Sequence, residues 1–191
     1  MGRKKNFSRE SVLEKTMPLF WEQGFAATSL QDLELATGVN RSGLYGEFAD
    51  KDALYVASLD FYLAKRREAG LLTAAPLGWA NVVRFLHEGY SVAEGQKGCF
   101  SVSALRELAV LPDAARTLMG ESKAQFKQLI AENIRADSPL ADADADALAD
   151  VIFVFFFGVC MDQQINTTQA DTTRKIDAFL QMAKTWAGST T

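Results

Sequence analysis

Apolar positions in this chain recur at intervals of three and four along most of its length, which is the spacing of one helical face. Alternating Val/Ile/Thr runs that would mark strands are nearly absent, and only 4 prolines interrupt the pattern. The chain therefore reads as all-α, with about nine helices. Leu13, Phe20 and Trp21 mark the inner face of a first helix, Arg9 to about Gln23, capped by Ser8 and ended by Gly24. Pro18 falls inside it, where it removes a hydrogen bond at a cost of roughly 3 kcal/mol in an ideal helix, and a local kink is expected. Thr28 with Gln31 three residues on reads as a capping box that starts a helix from Ser29 to Ala36. Leu30, Leu33 and Ala36 share one face of that helix, with Gln31, Asp32 and Glu34 outward. Thr37-Gly38 ends it, because Gly38 can take the left-handed conformation a tight turn requires. Val39 plugs the junction, Asn40 caps a short third helix, and that helix turns Arg41, Ser42 and Tyr45 outward with Leu44 and Phe48 inward. Asp50 then caps a long fourth helix, Lys51 to about Gly70.

The remainder predicts a helix from Pro76 to Glu94 with Trp79, Val83, Leu86 and Tyr90 in one stripe, and a break at Gly95-Gln96-Lys97-Gly98. A short helical segment follows from Cys99 to Val110. A long one runs from Pro112 to Arg135, with Leu118, Met119, Ser122, Phe126 and Leu129 in phase. The Ala-Asp alternation from Ala141 to Asp146 reads either as a solvated loop or as an acidic first turn, which suits a helix N-terminus. Leu148 to about Ile165 is apolar nearly all round and must be buried on several sides. Asp171 caps a last amphipathic helix with Ile176, Phe179, Leu180, Ala183 and Trp186 inward.

Two helices joined by a glycine turn, the second short and polar on its outer face, form a helix-turn-helix. The order Phe-x-x-x-Gly-Phe-x-x-Thr-Ser-Leu, then Gly-Val-Asn-Arg, Leu-Tyr, Phe and Asp-Lys-x-Ala-Leu runs without a gap from Phe20 to about Leu59. With Phe20, Gly24, Thr28, Gly38, Leu44, Tyr45, Phe48 and Lys51 in place, it resembles the amino-terminal domain of the TetR family of bacterial transcriptional regulators. The resemblance implies a DNA-binding domain over residues 1–50, with a basic arm over 1–9, and a helical ligand-binding and dimerisation domain over 51–191. Carried over by position, Asn40, Arg41, Ser42 and Gly43 stand at the start of the recognition helix. There Arg41 is in reach of a guanine edge, a bidentate pair worth about 1–3 kcal/mol of discrimination. Tyr45 and Lys51 match phosphate-contacting positions, and Thr28 and Ser29 stand at a helix N-terminus whose free amides suit a phosphate oxygen. Gly46 and Glu47 depart from the family's pattern, which has a bulky aromatic and a histidine or similar side chain there. Gly43 and Gly46 each cost the helix about 1 kcal/mol relative to alanine. That fits either a helix ordered partly by DNA or one that needs a close backbone approach.

The net charge of −4 changes this picture little. Residues 1–51 are neutral, and Arg3, Lys4, Lys5 and Arg9 crowd their first nine positions, where a basic arm beside a helix-turn-helix would follow the phosphate backbone. No apolar core follows that basic start, and the apolar run from Val151 to Met161 is too short to span a bilayer, so a cytoplasmic protein without membrane contact is expected. A single histidine, no Gly-rich phosphate loop, no metal-ligand cluster and no nucleophile–base pair argue against an enzyme, and neither cofactor nor metal is expected.

The resemblance further implies a homodimer on a palindromic operator in double-stranded DNA, joined through the last two helices of each subunit. It implies a small-molecule effector that releases the repressor. Candidate effector contacts are Trp79, Leu86, Tyr90, Cys99, Met119, Phe126, Phe153 and Phe157, each of which also reads as ordinary core. Cys99 after Gly98 is either a redox or electrophile sensor or a buried, inert thiol. Two further readings stand beside repression: an activator using the same surfaces, and a helical dimeric interaction protein that has lost specific DNA binding.

Overall fold

The computed structural model of the chain describes residues 7–137, 140, 142–165 and 167–189. Arg3, Lys4 and Lys5 of the basic arm and Ala141 lie outside the described residues. Helix is the dominant structure: α1 (Arg9–Gln23), α2 (Leu30–Thr37), α3 (Arg41–Glu47), α4 (Lys51–Lys65), α5 (Arg67–Leu72), α6 (Trp79–Glu88), α7 (Phe100–Ala104), α8 (Asp113–Asp137), α9 (Asp142–Asp162) and α10 (Gln169–Ser189), with a 3-10 turn at Leu105–Glu107. Among the described residues β-pairing is limited to a bridge between Ser91 and Gly98, which closes the predicted glycine break. The all-α expectation therefore holds, with a short α5 added and the short segment expected from Cys99 to Val110 formed by α7 and the 3-10 turn.

The chain forms two compact units. Residues 1–65 cluster with 103–120, and residues 66–102 with 121–191. In the first, α1 packs on α2 and α4. Val12, Phe20, Leu33, Leu44, Leu54, Tyr55 and Leu59 are almost fully buried, each burial stabilising by about 1.5–3 kcal/mol. Phe20 meets Tyr55 edge-on at 5.1 Å between ring centres, and the buried hydroxyls of Thr16 and Ser58 pair at 2.9 Å. Helix α1 runs through Pro18 as one element, with its predicted bounds and Ser8 as its cap.

In the second unit α6 packs against α5 and α10. Asn133 of α8 is fully buried and spends its amide on three segments. It accepts from the Gly78 N–H at 2.9 Å and from the Asn81 amide at 2.9 Å, and donates to the Leu72 carbonyl at 2.7 Å. Phe85 lies in a chain of rings, 5.6 Å from Phe126 and 4.3 Å from Phe156.

Several boundaries differ from the sequence reading, among them the end of α6 at Glu88 in place of Glu94, and four have a clear physical reason. The capping box is one residue later: Ser29 accepts from the Asp32 N–H and Asp32 accepts from the Ser29 N–H, while Thr28 instead donates to the Gly24 carbonyl at 2.6 Å. The fourth helix stops at Lys65, because Arg66 turns extended, with its guanidinium 4.0 Å over the Phe126 ring and bonded to Ser122 at 2.6 Å. No local breaker marks that point; a tertiary contact overrides good helix formers. Helix α6 begins only at Trp79, where Asp137 of α8 accepts from the Trp79 N–H at 3.0 Å and so supplies the cap. The last helix starts two residues before Asp171, capped by Thr168, whose hydroxyl accepts from the Asp171 N–H at 3.1 Å. The Ala-Asp stretch resolves as the acidic first turn of α9, with Arg135 bridging Asp142 and Asp146.

Candidate nucleic-acid interface

The reading head is built from local hydrogen bonds. Gly38 holds φ 72°, the left-handed turn that lets α2 stop and α3 start, and buried Val39 fills the junction. Asn40 accepts from the Gly43 N–H at 2.9 Å, and Glu34 of α2 accepts from the Arg41 N–H, so two of the free amides of α3 are already satisfied. Fully buried Leu44 and Phe48 pin the inner face. The other end is held by Arg9, which donates to the Glu47 carbonyl at 3.0 Å and lies 4.3 Å over the Phe48 ring. Arg9 of the predicted basic arm thus braces the recognition helix.

On the outer side of α3, Arg41 and Ser42 are exposed and Tyr45 is half-buried, with the Arg41 guanidinium 5.5 Å over the Tyr45 ring. A flat cation stacked on a ring is held at low entropy cost and keeps its donors outward. Lys51 begins α4 with its ammonium 4.6 Å over the Phe25 ring. Ser29 is exposed at the N-terminus of α2, whereas Thr28 is fully buried and its hydroxyl is spent on Gly24. Asp32 shares that terminus; the Ser29 hydroxyl and amide hold its carboxyl below the usual range. The two glycines of α3 separate. A Cβ on Gly43 would sit 2.7 Å from Val39, so this glycine serves the packing of the turn, while Gly46 faces open space.

Three of the expected effector contacts adjoin one another. Phe126, Phe153 and Phe157 form a run of neighbouring rings, 6.4 Å and 4.7 Å between centres. Leu86 is fully buried, Tyr90 accepts from the Gln169 amide at 3.0 Å, and Met119 belongs to the first compact unit. Cys99 is buried and Cys160 fully so, with burial pushing the Cys160 thiol well up from its ordinary value. That is the environment of inert thiols. His87 sits 3.1 Å from Asp177. The sequence reading missed Arg66, whose guanidinium is turned onto Phe126, and Ser101, whose buried hydroxyl meets no partner among the described residues. Neither carries a local signal, because each is placed by the fold.

Residues 12–57 match the family model described as bacterial regulatory proteins, tetR family. The HTH-type transcriptional repressor ComR of Escherichia coli is 34% identical over 137 residues, 67% of this chain and 64% of its own length. The chain thus spans just under two thirds of that repressor. The HTH-type transcriptional regulator YezE of Bacillus subtilis is 30% identical over 159 residues, 78% of this chain and 82% of its own length. A cysteine-substituted form of the TetR family regulator CifR, solved on 26-base-pair operator DNA, superposes with a TM-score of 0.80 at 24% identity, covering 94% of this chain and 98% of that one. The chain belongs to the TetR family of bacterial transcriptional regulators, which are DNA-binding proteins and not enzymes.

Proposed function

We propose that this protein is a ligand-responsive repressor that binds a palindromic operator as a homodimer and leaves it when a small apolar or aromatic molecule binds beyond Lys51. The observation that carries the DNA half is the pre-set recognition helix: Arg41, Ser42 and Tyr45 face outward from a helix capped at one end by Asn40 and braced at the other by Arg9. In this reading Arg41 reads bases, Tyr45 and Lys51 hold phosphates, and the exposed N-terminus of α2 at Ser29 takes a further phosphate.

Support for the dimer comes from α9 and α10. Val154, Met182, Val151 and Trp186 are 68%, 65%, 54% and 43% exposed, and the last three line a groove of ≈ 320 Å³ with Ala147, Leu148, Phe179 and Ala183. So much apolar surface on two helices suits a four-helix contact between copies. The effector half rests on the aromatic second unit, where the Arg66 guanidinium lies over Phe126 and Phe126 neighbours Phe153. An effector releases the operator only by binding the DNA-incompetent state more tightly, and operator DNA must then weaken the effector by the same factor. No helix among the described residues is long and apolar enough to cross a membrane, which accords with a protein that works on DNA in the cytoplasm.

The test is selection of bound fragments from a random or genomic DNA pool, with and without a small-molecule extract of cells. A palindromic site that is lost on adding extract is the expected result. Enrichment of no site in either condition overturns the reading in favour of a helical interaction protein.

A further inference from the structure

Glu107 belongs to the 3-10 turn Leu105–Glu107, far along the chain from the helix-turn-helix, yet its carboxylate lies on the turn that leads into it, 82 residues away at Phe25. Oε2 accepts from the Phe25 N–H at 2.6 Å and Oε1 from the Ala26 N–H at 2.9 Å. Two amides on one carboxylate form a charge-assisted fork, which fixes orientation as well as distance. Gly24 makes room for it: a Cβ there would lie 2.4 Å from Oε2. The ring of Phe25 rests 5.0 Å from that of buried Tyr55 and carries the Lys51 ammonium 4.6 Å from its centre. The carboxylate, the turn, the ring and the lysine thus form a continuous series.

We propose that Glu107 is a positioning residue for DNA binding, holding Phe25 by its two backbone bonds so that the Phe25 ring sets the place of the Lys51 ammonium against a phosphate. The role rests on the DNA-binding function proposed above. A second consequence of the same geometry concerns sign. Glu107 is an anion on the DNA-reading unit, so simple repulsion would make its removal tighten binding. A positioning role makes its removal weaken binding, and makes that loss depend on Lys51.

The experiment is a cycle of four full-length proteins, wild type, Glu107→Ala, Lys51→Ala and the double variant, titrated onto the selected operator over a salt series. Glu107→Ala is expected to weaken the operator five- to tenfold in the wild-type background and less than twofold beside Lys51→Ala, and to lower the salt slope by about one, as loss of one phosphate contact does. Equal losses in both backgrounds, or tighter binding on removing the carboxylate, overturn the proposal. Should Glu107→Ala fail to fold, Glu107→Gln keeps the volume and runs through the same cycle. Its Phe25 and Ala26 amides are expected to exchange hydrogen faster than in the wild type, and unchanged exchange also counts against the proposal. A wild-type chain that shifts no operator fragment overturns the DNA-binding reading and the positioning role with it. Additive losses in a wild type that does bind overturn the positioning role alone.

Discussion

The two compact units spend their residues differently. In the first, caps and braces satisfy the exposed helix ends, and the side chains left outward around α3 are polar or cationic: Arg41, Ser42 and Tyr45. In the second, the interior is a chain of phenylalanine rings, and the outer faces of α9 and α10 stay apolar, with Val154 and Met182 among the most exposed. A surface finished with hydrogen-bonding groups can meet a hydrated, charged partner such as DNA. A surface finished with valine, methionine and tryptophan is complete only against another apolar surface. The contrast supports the proposed roles, in which one unit meets a polyanion and the other a second copy of itself.

The largest effect should come from the ring cluster. Phe85→Ala is expected to cost about 3–5 kcal/mol by denaturant unfolding, since Phe85 is fully buried between Phe126 and Phe156. A cost under about 1 kcal/mol would mean the rings already border an open cavity, and would move the effector site there. Next, Trp186→Asp should shift the protein toward monomer in sedimentation and weaken operator binding at least tenfold, roughly 1.4 kcal/mol. A variant that stays dimeric would erase the contrast between the two surfaces.

Smaller and more selective losses belong to the reading head. Arg41→Ala is expected to lose about 1–3 kcal/mol of discrimination between operator and random DNA. Lys51→Ala should weaken both alike and flatten the salt slope by about one. Equal behaviour of the two variants would show that Arg41 reads no base. The smallest effect is that of the α2 cap, where Ser29→Ala should cost about 1 kcal/mol of stability. Because the Ser29 contacts hold the Asp32 carboxyl below its ordinary value, Asp32 contributes stability above about pH 4 and loses it as pH falls through that lowered value. Asp32→Asn should remove this acid-side slope from the thermal unfolding profile, and an unchanged slope would show that Asp32 adds nothing to the cap.

Much of the first unit was legible because its signals are local. Ser8, Asn40, Asp50 and Gly38 act within four residues of where they stand, so cap and stop residues in the sequence coincide with caps and stops in space. The error at Thr28 was of one residue, since two adjacent hydroxyls both suit the role and only the fold decides which one is buried. Gly43 and Gly46 looked alike in sequence, but Val39 crowds one and nothing approaches the other.

In the second unit the sequence by itself determined the number and amphipathic character of the long helices, because helical spacing of apolar residues is a property of neighbours along the chain. It determined neither where α4 ends nor where α6 begins, since Arg66 is turned by Phe126 and Trp79 is capped by Asp137. Tertiary structure also decided that Arg9 braces α3, that Glu107 grips the turn before α2, and that Trp186 faces outward. Each of these depends on a partner tens of residues away, and periodicity carries no record of which distant side chain will arrive.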